Sequence, residues 1–389
     1  MVGALCTRTA AADEGSAQPL IEIHGFVSEG LIKSTDNNYL AKSKRGSLEF
    51  TEAGINFTKS LTDELRVGVQ LFSRNLGPLG NYRPQLDWYY LDYRFWDWLG
   101  IRAGRTKIPF GLYNEVNDID AARIPILLPQ SLYQLDHRDY LLAQTGGEVY
   151  GDVPLGGAGS LEYRLYGGTL FIPAGPPPAP GITVTNSRVQ YVVGGRLMWA
   201  TPLDGLIAGG SAQALRVDGD YVFAPELNIP LQAAGLLPMG FAGTMPVKFR
   251  VQLYVASLEY AFHDLTLSSE YSRWVGGFES QAPLLFPKRV VNERFYGMAT
   301  YRVTSWFTPG FYYSVYYPNV DKRSGRENYQ HDAALTLRYD INANWLLKLE
   351  GHFMRGTAAL DNKELNEGKE QKDLVKDWGL LLVKTTAYF

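Results

Sequence analysis

From Leu20 to the end of this 389-residue chain, apolar and polar side chains alternate with a period of two in stretches of roughly ten to fifteen residues, separated by turn-rich segments. In Glu64 to Asn75, Leu65, Val67, Val69 and Leu71 fall on one face, with Arg66, Gly68, Gln70 and Arg74 on the other. Leu161, Tyr163 and Leu165 oppose Glu162, Arg164 and Tyr166 in the same way, as Leu347, Leu349 and Phe353 oppose Lys348, Glu350 and His352. No long stretch carries a convincing 3.6-residue stripe. The chain therefore reads as all-β, with a sheet that meets a different solvent on each face.

The pattern predicts sixteen strands, at 20–34, 46–59, 64–75, 84–96, 98–106, 141–152, 158–171, 188–201, 206–218, 247–262, 264–276, 291–304, 306–318, 328–341, 344–357 and 375–389. Short and long connections alternate between them without exception. In an up-and-down barrel successive turns lie at opposite rims, so two rims facing different compartments produce this order. The long loops are expected outside, and the short turns and both termini in the periplasm. A soluble sandwich explains the alternation in any single strand. It gives no use to aromatic clusters at strand ends such as Trp88-Tyr89-Tyr90, Tyr93 to Trp98, Tyr312-Tyr313 and Tyr388-Phe389, where a membrane barrel places interfacial girdles.

Composition removes the competing classes. Hydrophobic residues make up 46% and charged residues 20%, with 25 Tyr, 18 Phe, 8 Trp and 40 Gly, too aromatic and glycine-rich for disorder or a coiled coil. Mean hydropathy is −0.16, and no run of apolar residues is long enough for a transmembrane helix. A β-barrel stays open because only alternate residues face lipid. A net charge of −3 leaves no footprint for nucleic acid, and a single cysteine rules out a disulfide framework or a cysteine-based zinc site. Metal-ligand spacing and nucleotide fingerprints are also missing, so no metal or cofactor is expected.

Residues 1–19 stand outside the repeat. Ala10-Ala11-Ala12 resembles the end of a secretory signal, but Val2 to Cys6 is a short apolar core and Arg8 interrupts it, leaving a truncated signal and a disordered arm as alternatives. Leu5 before Cys6 argues against a lipid anchor. Residues 20–389 are expected to form one transmembrane barrel.

Two segments resemble a known class. The C-terminal Trp378-Gly-Leu-Leu-Leu-Val-Lys-Thr-Thr-Ala-Tyr-Phe389 resembles the last strand that bacterial outer-membrane barrels present to their assembly machinery, with Phe389 as the assembly signal. Here Leu381, Val383, Ala387 and Phe389 share the lipid face, on which Thr385 is a departure. Ile101-Arg-Ala-Gly-Arg-Thr-Lys-Ile-Pro-Phe-Gly111 resembles the strand-to-loop passage of sixteen-stranded bacterial porins, including the phosphate-selective branch. The longest connection, Lys107 to Tyr140, follows the fifth strand, the position from which general porins fold a third external loop into the channel. The resemblance implies an integral protein of the bacterial outer membrane, in contact with the lipid bilayer and lipopolysaccharide. It also implies a homotrimer.

A sixteen-stranded barrel is too wide for its side chains to fill, so bore and lining charge would set its selectivity. By register the basic wall is Arg66, Arg74, Arg94, Arg102, Arg164, Arg196, Arg250, Arg294, Arg302, Arg338, Lys348 and Lys384. It outnumbers carboxylates such as Glu52, Asp92, Glu148, Glu162, Glu270 and Glu350. Many of these arginines are structural, pairing with neighbours to keep the face wet. In the long loop, Glu115, Asp118 and Asp120 form an acidic cluster before Arg123. In porins resembling this chain, such carboxylates face wall arginines across the narrowest point. Ile124 to Leu128 would let the loop pack against an inner wall.

None of the five histidines, His24, His137, His263, His331 and His352, stands in an obvious catalytic pair, because adjacent residues on a strand point to opposite faces. The expected function is non-enzymatic: passive diffusion of small hydrophilic solutes and ions with modest charge selectivity. The alternatives are an anion- or phosphate-preferring channel, and a barrel that sheathes or scaffolds a partner such as an electron conduit or adhesin.

Overall fold

The computed structural model describes residues 21–172 and 181–389; the expectations for residues 1–19 lie outside the described residues. Among the described residues, sixteen strands form one closed antiparallel sheet. In chain order they are β1 (Glu22–Ser34), β2 (Phe50–Ser60), β3 (Leu65–Leu76), β4 (Gln85–Trp96), β5 (Leu99–Lys107), β6 (Ala143–Pro154), β7 (Ser160–Thr169), β8 (Ile182–Ala200), β9 (Leu206–Phe223), β10 (Thr244–Phe262), β11 (Leu265–Glu279), β12 (Val290–Tyr301), β13 (Phe307–Tyr317), β14 (Gln330–Asn342), β15 (Trp345–Gly356) and β16 (Asp377–Tyr388). Each pairs with its neighbours in sequence, and β1 pairs with β16 to close the ring, Leu31 lying opposite Val383. One rim carries the short turns, such as 97–98 and 263–264, and the other the long loops, such as 35–49, 108–142 and 357–376.

Outward positions expose apolar side chains, including Val27 and Leu31 on β1 and Leu381 on β16. Trp96, Trp98, Trp199, Phe262, Trp306 and Trp345 are exposed beside the short turns, a ring of aromatics at one interface. Thr385 is also outward, but its hydroxyl accepts the Trp345 indole N–H at 2.7 Å and donates to the Leu346 carbonyl at 3.1 Å. Its polarity is used within the sheet. The helix Pro225–Ala233 is far too short to cross a membrane.

Strands β8 to β11 are longer than the alternation predicts. They run past the other strands at the loop rim, where β8 reaches back to Ile182 and β9 on to Phe223. Polar Thr183, Asn186 and Ser187 hide this extension from a period-two reading. The strands are held there by a separate apolar cluster of Phe223, Leu237, Met245, Val247, Ala282 and Phe286. The helix Pro225–Ala233 packs into the cluster through Leu231, with Pro225 at its first position, where no N–H is needed.

Candidate functional site: the lumen and its inserted loop

The connection between β5 and β6 leaves the rim and enters the barrel. Gly111 turns it inward with a φ of +60°, where a Cβ would meet the Tyr133 hydroxyl at 2.5 Å and Glu270 at 2.7 Å; only glycine fits. The Leu112 N–H then donates to Glu270 on β11 (2.9 Å), and the Tyr113 hydroxyl to Glu259 on β10 (2.9 Å). Gln70 on β3 donates to Asp118 (2.9 Å), and Arg338 on β14 to the Ala121 carbonyl (2.8 Å). The loop is bonded to distant parts of the wall and crosses the lumen.

Two apolar seams fix it. Phe110, Tyr113, Leu128, Leu132 and Tyr133 of the loop pack against inward residues of β7 to β14, among them Val192, Leu215 and Leu253. Ile126, Leu127 and Leu135 pack against Ile32, Phe50, Leu380 and Leu382 on the opposite arc. Burial of several large side chains is worth about 1.5–3 kcal/mol each, enough to hold a loop that would otherwise be free at the rim.

The loop carboxylates meet the wall in direct contact. Asp120 lies 2.7 Å from Lys384, 2.7 Å from Arg123 and 2.8 Å from the Thr386 hydroxyl, which donates to it. Lys384 also reaches Glu52 at 2.5 Å. Asp118 lies 2.5 Å from Lys107. Glu115 pairs with Arg164 and, at 2.9 Å, with Arg196. Burial pushes the Glu115 carboxyl up, but Arg164 and Arg196 outweigh it and hold its pKa at about 2. Asp118 is held low in the same way, burial being overcome by Lys107 and Arg138.

These contacts divide into a dry and a wet side. Lys348 and Lys384 have 0% of their side chains exposed and Asp120 has 2%, so the arc at β15 and β16 is sealed. Along β4 to β8 part of the charged run keeps contact with water: Arg102 is 22% exposed, Glu115 25% and Glu162 40%, while Arg164 and Arg196 are 11% exposed and Glu148 is buried. There the charges alternate. Asp92 holds Arg102 at 2.9 Å, and Arg102 lies 3.7 Å from Glu148. Glu148 holds Arg164, and Glu162 holds Arg196 at 2.6 Å. Arg102 sits 5.0 Å from the ring centres of both Tyr90 and Tyr150.

No family model and no curated protein matches the chain. Solved structures do match it. An anion-selective porin from Comamonas acidovorans has a TM-score of 0.57 at 12% identity, covering 95% of this chain and 99% of the other. The outer membrane channel DcaP of Acinetobacter baumannii has a TM-score of 0.54 at 13% identity, over 95% and 97%. OmpF of Salmonella typhi, in complex with daunomycin, has a TM-score of 0.55 at 12% identity, over 95% and 97%. This chain has a porin-like fold, a closed barrel of antiparallel strands. Identities this low carry the fold alone, so the lining of this porin-like barrel is read from its own side chains.

The remaining basic residues take several environments. Arg66 and Arg94 are inward in register but half-exposed near the short turns, 3.8 Å from Glu22 and 3.3 Å from Asp97 respectively. Buried Arg74 donates to the Leu135 carbonyl at 3.0 Å. Arg294 lies 3.5 Å over Trp274 and donates to Gln134 at 3.2 Å. Arg338 lies 2.7 Å from Asp340.

Two residues read as wall lie elsewhere. Arg250 faces outward beside exposed Tyr254 and pairs with Glu279 at 3.1 Å. On this stretch of β10 the inward positions are the apolar Val247, Phe249, Val251 and Leu253, because apolar clusters fill the interior there. Twelve residues separate Arg250 from the short-turn end at Phe262, about 40 Å along the strand, beyond an apolar band of about 25 Å even at a tilt of about 45°. Arg302 lies in the turn between β12 and β13, because β12 ends at Tyr301 and Thr304 bridges Phe307 to close the hairpin.

Asp87 is a lumen residue that alternation misses. A register shift at Gln70 and Leu71 leaves it without a partner in the β3–β4 ladder, so it turns inward with Trp88. It accepts two bonds from Arg138 at 3.0 and 2.8 Å and one from Gln70 at 3.0 Å. Its signal in the sequence is a carboxylate at a position that alternation assigns to lipid.

Proposed function

We propose that this protein is a porin of the bacterial outer membrane, a passive diffusion channel for small hydrophilic solutes and ions, in which no bond is made or broken. The observation that carries this reading is the belt of alternating charge between the inserted loop and strands β4 to β8, which water reaches at Arg102, Glu115 and Glu162. A route lined this way offers a permeating solute donors and acceptors in place of its hydration shell. The contiguous run from Asp92 through Arg102, Glu148, Arg164, Glu115 and Arg196 to Glu162 sets three guanidinium groups against four carboxylates, a net charge of −1, and the neighbouring Lys107–Asp118 and Arg138–Asp87 pairs add none. Near-neutral lining supports modest selectivity over a strong preference for anions or phosphate. Assembly as a homotrimer by the barrel assembly machinery, in a bilayer with lipopolysaccharide, belongs to the same proposal.

Purified protein in a planar bilayer under a salt gradient tests it. Stepwise ohmic conductance with a small reversal potential is expected. Absence of conductance, or a reversal potential near the limit for a single ion, would overturn the reading.

A further inference from the structure

One residue supports the inserted loop without touching it. On β15, His352 is buried with Nδ1 2.9 Å from Asp332 on β14 and Nε2 3.0 Å from Glu350. Glu350 in turn accepts the Ile126 N–H at 2.7 Å on one oxygen and the Leu127 N–H at 2.8 Å on the other. Thr336 also donates to Glu350, and the Tyr312 hydroxyl donates to the second oxygen of Asp332 at 3.1 Å. A neutral imidazole has one N–H and one lone pair, so it can donate to only one of two flanking carboxylates. The imidazolium donates to both.

We propose that His352 is the positioning residue for the loop, acting as an imidazolium that compensates Glu350 and keeps it aimed at Ile126 and Leu127. The groups facing it from the packed elements are Asp332 on β14, Glu350 on its own strand, and Tyr312 on β13, whose ring lies 6.0 Å away. Its cross-strand partner on β16 is the uncharged Leu380. The nearby cations are engaged elsewhere: Lys348 is 2.8 and 2.7 Å from the Asp120 and Arg123 carbonyls, Lys384 is on Glu52 and Asp120, and Arg338 is on Asp340. From the inserted loop, Arg123 and Asp120 pair with each other. Protons have a way in. Asp332 and Tyr39 line a cavity of about 10 Å³, room for one water, and through Tyr39 and Ala359 it adjoins a cavity of about 110 Å³ at the loop rim that Asp136 and Asp361 also line.

Loss of the imidazolium proton leaves two buried carboxylates facing each other across a ring that can serve only one, and the hold on the loop weakens. The test is a pH titration of the whole barrel in lipid nanodiscs, with ¹⁵N-labelled histidine assigned through His352→Gln. At neutral pH both His352 nitrogens should carry protons. As pH rises through its deprotonation, exchange protection of the Ile126 and Leu127 amides, corrected for intrinsic rate, should fall at least tenfold. His352→Gln should hold the lowered protection at every pH, and Asp332→Asn should move the transition to lower pH. If the variants fail to assemble, the unmodified protein decides alone. A neutral imidazole at neutral pH, or protection unchanged through the His352 titration, overturns the proposal. These readouts do not depend on conduction, so a silent bilayer recording would count against the channel reading and leave this one standing.

Discussion

Lys348 and Glu350, two residues apart on the inward face of β15, grip opposite polar ends of one short stretch of the inserted loop. Lys348 donates to the carbonyl oxygens of Asp120 and Arg123, and Glu350 accepts the N–H groups of Ile126 and Leu127. Two-residue spacing is what a strand needs to aim both side chains into the lumen. A cation and an anion at that spacing hold a backbone ribbon whatever its side chains are, so the loop's path is written on the wall.

Asp120 should be the least replaceable loop carboxylate. It faces Lys384 and Arg123, with Lys348 at 3.9 Å. Burial alone would raise its pKa, yet Lys384, Arg123 and Lys348 hold it far below the ordinary range. Its stabilisation is therefore complete above the unfolded pKa, near 4, and persists until pH falls well below that value. Asp120→Asn leaves buried Arg123 and Lys348 with backbone carbonyls and no carboxylate, and Lys384 with Glu52 alone, a loss of about 3–5 kcal/mol by analogy with other broken buried pairs. The expected result is a lower temperature for loss of the compact band in heat-modifiability gels, together with a larger or noisier conductance. Thermal behaviour and conductance matching the parent would show that this contact does not hold the loop.

Glu115 should govern selectivity more than stability, because of Glu115, Asp118 and Asp120 it is the one that water reaches. With a folded pKa of about 2 against an ordinary value of 4.5, its contact with Arg164 and Arg196 is present above about pH 4.5 and is lost as pH falls through about 2. Glu115→Gln changes the belt from −1 to neutral and should move the reversal potential toward anions by a few millivolts. The shift should shrink as salt rises, since the Debye length is about 10 Å at 0.1 M. A shift toward cations, or one independent of salt, would place Glu115 off the conduction path.

The sixteen strands were legible because lipid on one face and water or polar loop on the other impose a strict period of two. That rule fails where the interior stops being wet. On β10 the inserted loop and the rim cluster make the inside apolar, so reading polar residues as inward sends Arg250 to the wrong face. At Asp87 a bulge reverses the parity for one residue. The acidic loop residues were visible as a cluster, but nothing in their spacing says that Asp120 pairs across the chain with Lys384 while Glu115 pairs with Arg196. Those partnerships depend on how a loop folds through the barrel.

Asp361, in the loop between β15 and β16, should give the loop rim a pH dependence of opposite sign. Burial first and then Asp136 push its pKa up to about 6 from 3.8. A raised carboxyl pKa favours the folded rim at low pH, and the benefit is lost as pH rises from about 4 through about 6. Asp361→Asn should therefore leave stability unchanged near pH 4 and raise it slightly at pH 8. Differential scanning fluorimetry at the two pH values tests this. Equal effects at both, or a loss at pH 8, would mean the carboxylate has a partner that stabilises its charge.

Phe389 closes the barrel in two separable ways. Its N–H and carbonyl exchange hydrogen bonds with Gly25, each 3.0 Å long, and its ring covers Gly25, where a Cβ would meet the ring at 2.6 Å. Phe389 is 64% exposed on the outer face, so little burial within the protein can account for a role of the ring in folding. If the aromatic is an assembly signal, Phe389→Ala, which keeps both backbone bonds, should lower the heat-modifiable, folded fraction in the outer membrane severalfold while leaving refolding in detergent near normal. Deleting Phe389 removes the backbone bonds as well and should impair both. A Phe389→Ala protein that assembles like the parent in cells would assign the terminal residue to barrel closure through its backbone and remove the ring from any part in assembly.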